Sequence, residues 1–535
     1  MVATIQTLVL LLVVISAVSV VANRLNIAPA ILLVLAGVVL ALIPGLPAIT
    51  LAPELVLLLV LPPVIYWSAV SMSWKEFRFN LRPISSAAIG CVLFTTVAVA
   101  AVTHWLLHFP WAVGFVLGAI VSPPDPVAPL SIARGLYLPR RLAVVLEGEG
   151  LANDATALIL YRFAIMAVSA GTFSLHLAVI EFVVILVGEI LWGIGVAWAM
   201  LRLRHWVNEP RIELILSILT PFLAYWPPQY LGGSGVLATV TAGLYVSWNG
   251  QRLIPSATRL QGTFFWNYLL YLINGMVFLI TGLQTRTLIG ELHGHTSREI
   301  ASAAAVVCIA VIAARFIWTF PAVYIPVWLF PVIAREDPAP NWRRPFVIAF
   351  TGVRGIVSLA AALAIPFTTD SGAPFPNRDL ILLLTFCVIL VTLVGQGLML
   401  PSVIRALGLD RAGRHEHRAD RLEEFAAREA AIRSAQSRLE ELIAERDLPQ
   451  DIAHELDTWL KDRLKRLEHR GGSEREQRKL SEIRDEIDLL LIAAERETAN
   501  ELYRNGELKD EARRRIERDL DLREAHVANL RAEEA

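Results

Sequence analysis

Polar residues that can bind a small cation or a proton lie in the middle of one apolar segment. Glu149, Asn153 and Asp154 fall within residues 139–168, a segment long enough to cross a bilayer at ~1.5 Å per residue in a helix. Because a charge at membrane depth is costly, such a side chain usually faces a protein-lined cavity and carries function. Other apolar runs contain the further charged residues Asp125, Arg315 and Arg354. This pattern predicts a transporter whose substrate is a small cation.

Residue spacing places these groups on particular faces of the predicted helix. Glu149 and Asn153 lie four positions apart and share one face. Asp154 lies ~100° around the helix axis from Asn153. Asp154 instead shares a face with Glu147, which lies seven positions earlier.

Two apolar segments are interrupted, and we expect both interruptions to line the site. Three prolines surround Asp125 in Ser122-Pro123-Pro124-Asp125-Pro126, and prolines break a helix because they lack a donor and clash with the preceding turn. A weaker interruption lies at Thr351-Gly352-Val353-Arg354-Gly355. Broken segments at corresponding positions of two halves are typical of transporter binding sites. We therefore predict two inverted repeats whose broken helices cross, with Asp125 and Ser122 as further cation ligands.

Composition divides the chain into two parts. Hydrophobic residues make up 55% of the chain, and dense charge begins only near Asp410. We predict an all-α polytopic membrane domain over residues 1–408 and a cytoplasmic, charged helical tail over 409–535. About thirteen segments are long enough to span a bilayer. They lie near residues 4–22, 27–44, 51–72, 83–107, 111–136, 139–168, 175–201, 210–226, 232–248, 260–283, 299–329, 345–366 and 379–406.

The distribution of basic residues and cysteines gives an orientation and excludes other classes. Most Lys and Arg of the short connections fall on one side, which predicts an outside N-terminus and a cytoplasmic tail in the cell membrane. Cys91, Cys308 and Cys387 lie in apolar segments without metal-ligand spacing, so we expect buried thiols. No nucleotide loop or nucleophile constellation appears. We predict neither an enzyme nor a cofactor, and no nucleic-acid partner.

The motifs resemble those of sodium/proton exchangers in the first cation:proton antiporter branch. Gly148-Glu149-Gly150-Leu151-Ala152-Asn153-Asp154 is similar to the G-E-S-L-x-N-D signature of that family, and Asp125-Pro126-Val127-Ala128 to its D-P-V-A break. Ala314-Arg315-Phe316 resembles its buried-arginine helix. Gly352-Val353-Arg354-Gly355 resembles its second broken helix.

The resemblance implies a fold and a set of roles. The family fold has thirteen helices and forms a homodimer in which a core moves like an elevator against a dimerisation domain. Asp154 would bind either Na⁺ or H⁺, Asp125 would assist near the ion, and Asn153 would stabilise that arrangement. Glu149 would pair with Arg315. Asn-Asp in the signature, in place of Asp-Asp, is associated with electroneutral exchange.

Two departures from the family pattern remove oxygen atoms near the expected ion. Gly150 stands where the family usually has serine, and Tyr66-Trp67 stand where many relatives carry an acidic residue. We therefore expect water or backbone carbonyls to complete the ion's ligands.

The sequence leaves three alternatives open. Arg354 would either hold the carbonyls of the broken backbone or act in transport. The tail would either support the dimer or regulate transport. The alternative to an antiporter of monovalent cations and protons is a cation channel or a cation or pH sensor that uses the same site.

Overall fold

The structure is a computed structural model that describes residues 2–25, 27–43, 52–133, 136–170, 175–207, 209–290, 296–329, 331, 341–446, 449–471 and 475–534. Helices dominate these residues, which form two compact units, Met1–Arg414 and His415–Ala535.

The helices of the first unit follow the predicted apolar segments. In chain order they are α1 (Val2–Leu25), α2 (Pro29–Ala41), α3 (Pro53–Ser71), α4 (Trp74–Phe79), α5 (Leu81–Leu107), α6 (Trp111–Val121), α7 (Val127–Ala133), α8 (Arg140–Ala170), α9 (Leu175–Val207), α10 (Pro210–Tyr230), α11 (Val236–Leu253), α12 (Ser256–Leu283), α13 (Thr285–Gly290), α14 (Ser297–Leu329), α15 (Arg343–Phe350), α16 (Ile356–Leu363) and α17 (Arg378–Ala406). Each predicted segment coincides with at least one of them. Within the described part of the chain, 7 helices are long and apolar enough to cross a membrane, and Val9–Leu25, Pro29–Ala41 and Trp111–Val121 are shorter apolar helices. The number of crossings and the inverted repeats stay predictions.

Both predicted interruptions are breaks in helical structure. Helix α6 ends at Val121 and α7 begins at Val127, because Pro123, Pro124 and Pro126 cannot continue the hydrogen-bond ladder. Helix α15 ends at Phe350 and α16 begins at Ile356. Each break leaves backbone groups that need partners elsewhere.

Close contact between α5 and α6 fixes the position of the first break. A Cβ atom at Gly118 would lie 2.5 Å from the carbonyl oxygen of Thr96, and one at Gly114 would lie 2.8 Å from the Thr103 hydroxyl. Small residues at these positions let the two backbones approach, as at many helix interfaces in membranes. The C-terminal end of α6 is thereby held inside the first unit.

The first unit continues into the charged segment through a polar junction. Helix α18 (Leu409–Arg446) begins beside residues 136–139, and the Asp410 carboxylate accepts a hydrogen bond from the Tyr137 backbone N–H at 3.2 Å. A hydrogen bond from Arg414 at 2.7 Å holds the pKa of the Asp410 carboxyl below its usual range. Asp410 therefore stays charged throughout the neutral pH range.

The second unit consists of helices that pack through apolar and ionic contacts. They are the rest of α18, α19 (Gln450–Gly471), α20 (Arg475–Arg504) and α21 (Asp510–Glu534). Leu439 of α18 is buried with Ile432 and Leu460. Four apolar side chains of α20 are exposed: Ile483, Ile487, Leu490 and Leu491. Ile492 and Ala499 provide buried positions of that helix instead.

Candidate functional site

The two breaks lie against each other and satisfy each other's backbone groups. The Asp125 N–H donates a hydrogen bond to the Val353 carbonyl oxygen at 2.7 Å. In the opposite direction, the Arg354 side chain donates from Nε to the Val121 carbonyl at 2.8 Å and from Nη2 to the Ser122 carbonyl at 3.4 Å. The two interruptions therefore form one crossing, built from segments that lie more than two hundred positions apart in the sequence.

Helix α8 passes this crossing and brings Asn153 to the first break. The fully buried Asn153 donates a hydrogen bond from Nδ2 to the Pro124 carbonyl oxygen at 2.7 Å. Its Oδ1 atom is buried and finds no hydrogen-bond donor among the described residues. An unsatisfied buried oxygen is costly, and at this position it is available to a cation.

Asp154 lies next in α8, and its carboxylate is only partly buried. Within the described ranges it has no hydrogen bond and no ion pair. It lies close enough to Asp125 for the two carboxylates to interact electrostatically, and like charges in such proximity disfavour each other. A cation or a proton relieves that repulsion.

Asp125 is held by the break itself. Its Oδ1 atom accepts a hydrogen bond from the Val127 N–H at the start of α7, at 2.8 Å. Gly355, at the second break, packs directly on its carboxylate, since a Cβ atom there would lie 2.0 Å from Oδ2 of Asp125. The two breaks together fix the orientation of this side chain.

Glu149 and Arg315 form a buried ion pair. This pair is distinct from the carboxylates of Asp125 and Asp154, which have no ion-pair partner among the described residues. Arg315 donates from Nη1 and Nη2 to the two carboxylate oxygens of Glu149 at 2.5 and 2.9 Å. Each side chain is only 2% exposed. Arg315 Nε also donates to the Ile348 carbonyl at 3.1 Å, near the end of α15. The pair therefore ties α8 and α14 to the second broken segment.

Arg354 is buried and contacts backbone oxygens rather than a carboxylate among the described residues. Besides Val121 and Ser122, it donates from Nη1 to the Gly352 carbonyl. Val121 is the last residue of α6, where the helix dipole is negative. A guanidinium there offsets that partial charge, so the contacts are those of the backbone-holding alternative.

Ser122 lies at the crossing, but its hydroxyl is already engaged. The buried Oγ donates to the Ala119 carbonyl in the last turn of α6 at 3.1 Å. Among the described residues, the Ser122 side chain forms no hydrogen bond with Asp154 or Asp125. Its backbone carbonyl serves Arg354 instead.

The two departures from the family pattern have different structural contexts. A Cβ atom at Gly150 would lie 2.1 Å from Cγ of Pro126, so glycine lets α8 approach the first break. Trp67 stacks on Trp266 at 5.6 Å and donates to Asn267 at 3.0 Å. Trp67 therefore packs against a buried cluster that is formed by α3, α9, α10, α11 and α12.

Two site residues were missed from the sequence. Thr392 accepts a hydrogen bond from the Arg354 N–H at 3.0 Å and donates to the Val388 carbonyl at 2.7 Å. It lies in the π-helical stretch Val391–Gln396 of α17, and π-helical turns frequently mark functional sites. Gly355 belongs to the second-break motif, but the sequence does not predict its contact with Asp125. A hydroxyl and a glycine in an otherwise apolar segment are weak signals of such contacts.

Crossed breaks with unpaired carboxylates beside a buried ion pair define a membrane protein of the ion-transporter class. Comparison with known proteins identifies the family. Residues 8–406 match the family described as sodium/hydrogen exchanger, transmembrane. The chain belongs to this family, whose curated relatives are transporters rather than enzymes. The family supports exchange of monovalent cations for protons and a location in a membrane.

Individual relatives cover most of this chain. An uncharacterised Na⁺/H⁺ exchanger of Mycobacterium tuberculosis is 38% identical over 392 residues, or 72% of this chain and 71% of the relative. A sodium, potassium, lithium and rubidium/H⁺ antiporter of Bacillus pumilus is 32% identical over 68% of this chain and 56% of the relative. An uncharacterised Na⁺/H⁺ exchanger of Escherichia coli is 30% identical over 499 residues, or 88% of this chain and 89% of the relative. A match of that length includes part of the charged segment after residue 406.

A solved structure shares the fold. The sodium proton antiporter MjNhaP1 of Methanocaldococcus jannaschii superimposes with a TM-score of 0.60 over 75% of this chain and 98% of that chain, at 19% identity. This likeness bears on the fold alone. The antiporter relatives do not favour the alternative of a channel or sensor.

Proposed function

We propose that this chain is a secondary antiporter that exchanges Na⁺, or another monovalent cation, for H⁺ across the cell membrane, with Asp154 binding either ion. The observation that carries the proposal is the contrast on α8. Glu149 is neutralised by Arg315, whereas Asp154 lacks a basic partner among the described residues. A carboxylate without a counter-ion at membrane depth needs a cation or a proton to become neutral.

Competition for one carboxylate couples the two ions. Low pH favours the protonated form, and a high cation concentration favours the cation-bound form. Movement of the empty, charged carboxylate through the apolar part of the protein is disfavoured by desolvation. Transport therefore occurs only when Asp154 is neutralised. One monovalent cation then exchanges for one proton, which makes the exchange electroneutral.

The other residues of the crossing complete the ion's surroundings in this proposal. Asn153 offers its unpaired Oδ1 atom, and Asp125 offers the oxygen that Val127 does not occupy. Ser122 would contribute its hydroxyl lone pairs, and water would replace the oxygen that a serine at position 150 would supply. Arg354 keeps the broken backbone in place.

The same proposal includes a movement and an assembly. The crossing and its ion move against the rest of the membrane domain as an elevator, which gives alternating access from the two sides. Two copies form a homodimer, with the N-terminus outside and the tail in the cytoplasm.

Proteoliposomes that contain a pH-sensitive dye test the proposal. A proton gradient is imposed, and Na⁺, Li⁺, K⁺ or Rb⁺ is added with and without a clamped membrane potential. We expect a cation-dependent collapse of the gradient that the clamp does not change. Asp154→Asn should show no collapse above empty liposomes. The matched control is Glu181→Gln, which removes an exposed carboxyl from apolar α9 and should retain exchange.

Two results would reject specific parts of the proposal. Exchange at the normal rate in Asp154→Asn would remove Asp154 as the binding group. A current that dissipates the membrane potential, without counterflow of protons, would favour a channel.

A further inference from the structure

A cavity of about 240 Å³ lies among α5, α8, α14 and α15. Its floor includes the Glu149–Arg315 pair, and its walls are largely apolar, with Ala322, Val323 and Pro326 on α14. The residues of the ion crossing, Asp125, Asn153 and Asp154, do not line it. The cavity is therefore a site separate from the proposed ion site, although Glu149 lies on the same helix, α8, as Asn153 and Asp154.

Basic side chains surround this cavity. Arg82, Arg141 and Arg344 line it together with the apolar walls. Arg82 and Arg344 form no ion pair or side-chain hydrogen bond with any residue that the structure describes, and Arg141 Nε donates to Asn80 at 3.0 Å. Glu149 is the acidic lining residue, and Arg315 already neutralises it. Arg82 and Arg344 therefore give the lining an excess of positive charge.

The three arginines lie at one end of the helices that form the cavity. Arg82 and Arg141 are the second residues of α5 and α8, and Arg344 is the second residue of α15. Pro326 lies in the last turn of α14. Helix ends of this kind meet the membrane surface, where the headgroups of lipids lie.

We propose that this cavity binds an anionic phospholipid. The phosphate group lies at Arg82 and Arg344, because guanidinium groups are suited to bind phosphate oxygens. An acyl chain follows the apolar side of α14, where it replaces unfavourable contact with water. Basic pockets between transmembrane helices are known to bind lipid headgroups. The choice of occupant rests on this combination of an excess positive charge and apolar walls in a membrane protein.

A lipid bound in this cavity lies against the Glu149–Arg315 pair at its floor, so it affects the packing of the protein around that pair. Arg315 links α8 to α15 through Glu149 and the Ile348 carbonyl, and Ile348 also lines the cavity. A bound lipid covers this pair, keeps water away from it and fills the space between α14 and α15. The lipid therefore stabilises the packing around the pair. This inference does not depend on which ion Asp154 binds.

Lipid binding to the purified full chain tests the inference. The protein is delipidated in a neutral detergent, and phosphatidylglycerol, phosphatidylcholine or soluble glycerol phosphate is added. Binding is measured by native mass spectrometry and thermal unfolding. We expect phosphatidylglycerol to bind and to raise the unfolding temperature, with much weaker effects of phosphatidylcholine and glycerol phosphate.

Paired variants locate the binding site. Arg82→Gln combined with Arg344→Gln should weaken phosphatidylglycerol binding by roughly twenty-five-fold, since each arginine near a bilayer surface contributes about a factor of five. The matched control combines Arg202→Gln with Arg252→Gln, two exposed arginines elsewhere in the first unit, and should bind as the unmodified chain does. Ala322→Phe fills the apolar part without changing charge and should also weaken lipid binding.

Three results would overturn the inference. Equal binding of phosphatidylcholine would remove the role of the negative charge, and equal stabilisation by glycerol phosphate would mean that a soluble anion is the ligand. Equal loss in the control pair would indicate non-specific attraction to basic surface. If the arginine pair does not fold, unchanged phosphatidylglycerol binding in Ala322→Phe would by itself reject the cavity.

Discussion

Helix α8 carries two acidic positions five residues apart, and their surroundings differ completely. Glu149 is buried with Arg315 in a two-point ion pair, whereas Asp154 has no counter-ion among the described residues and interacts electrostatically with a second carboxylate, Asp125. A buried ion pair seldom adds net stability, but loss of one partner leaves an uncompensated charge. An unpaired carboxylate has the opposite property, because its removal relieves repulsion. The comparison suggests that Glu149 supports the structure and that Asp154 exchanges ions.

The largest effect on stability is expected at the ion pair. Arg315→Ala leaves Glu149 buried without a partner and also removes the hydrogen bond to Ile348. We expect a loss of ~3–5 kcal/mol in the free energy of unfolding, seen as poor assembly and a lower unfolding temperature in detergent. The double variant Glu149→Gln with Arg315→Met should recover part of this loss. Well-folded, active Arg315→Ala protein would contradict the structural role of the pair.

The next effect is expected where α8 meets the first break. Gly150→Ser restores the residue usual in the family, but its Cβ would lie 2.1 Å from Cγ of Pro126. Such overpacking typically costs ~1–3 kcal/mol, so the unfolding temperature should fall even though a possible oxygen ligand is added. Gly188→Ser is the control, since nothing lies within 4 Å of a Cβ atom there. A more stable, more active Gly150→Ser protein would show that the break moves easily away from α8.

Gly355→Ala tests how firmly the crossing orients Asp125. The added methyl group would lie 2.0 Å from Oδ2 of that carboxylate, so the side chain must turn while the Glu149–Arg315 pair stays intact. We expect a moderate loss of stability, near the lower end of ~1–3 kcal/mol, and a larger cation concentration for half-maximal exchange. Gly262→Ala, with open space around its Cβ position, should leave both quantities unchanged. An unchanged cation dependence in Gly355→Ala would exclude Asp125 from the ion site.

The sequence predicts local features of this site better than contacts between distant segments. Pro123, Pro124 and Pro126 lie within four positions, where the missing donors and the ring clashes stop the helix, so the first break could be predicted from physical chemistry alone. The Glu149–Arg315 pair came from a family resemblance, because residues 166 positions apart have no spacing rule. The contacts of Asn153 with Pro124 and of Arg354 with Thr392 depend on how α8 and α17 pack against the breaks. No local pattern encodes such packing.

The tail gives a similar lesson on α20. Ile487 and Leu490 form an apolar stripe in the sequence, yet both are about half exposed, while Ile492 is buried. Apolar periodicity predicts that a helix has a face suited to packing. It does not decide which of two adjacent apolar faces contacts the neighbouring helix, because that choice depends on the position of the partner. Here the ion pairs of Arg496 with Asp521 and Glu524 lie between α20 and α21.

The smallest effect on stability, and the most informative, is expected for Asp154→Asn. Since the Asp154 carboxylate lacks a hydrogen bond and an ion pair in the described residues, an amide removes no contact and relieves repulsion with Asp125. The unfolding temperature should therefore stay the same or rise, whereas exchange is lost. Added Na⁺ should raise the unfolding temperature of the unmodified chain, because a ligand that binds the folded state stabilises it. It should leave that of Asp154→Asn unchanged. A large loss of stability in this variant would mean that Asp154, like Glu149, is a structural residue. The proposed difference in role between Glu149 and Asp154 would then be wrong.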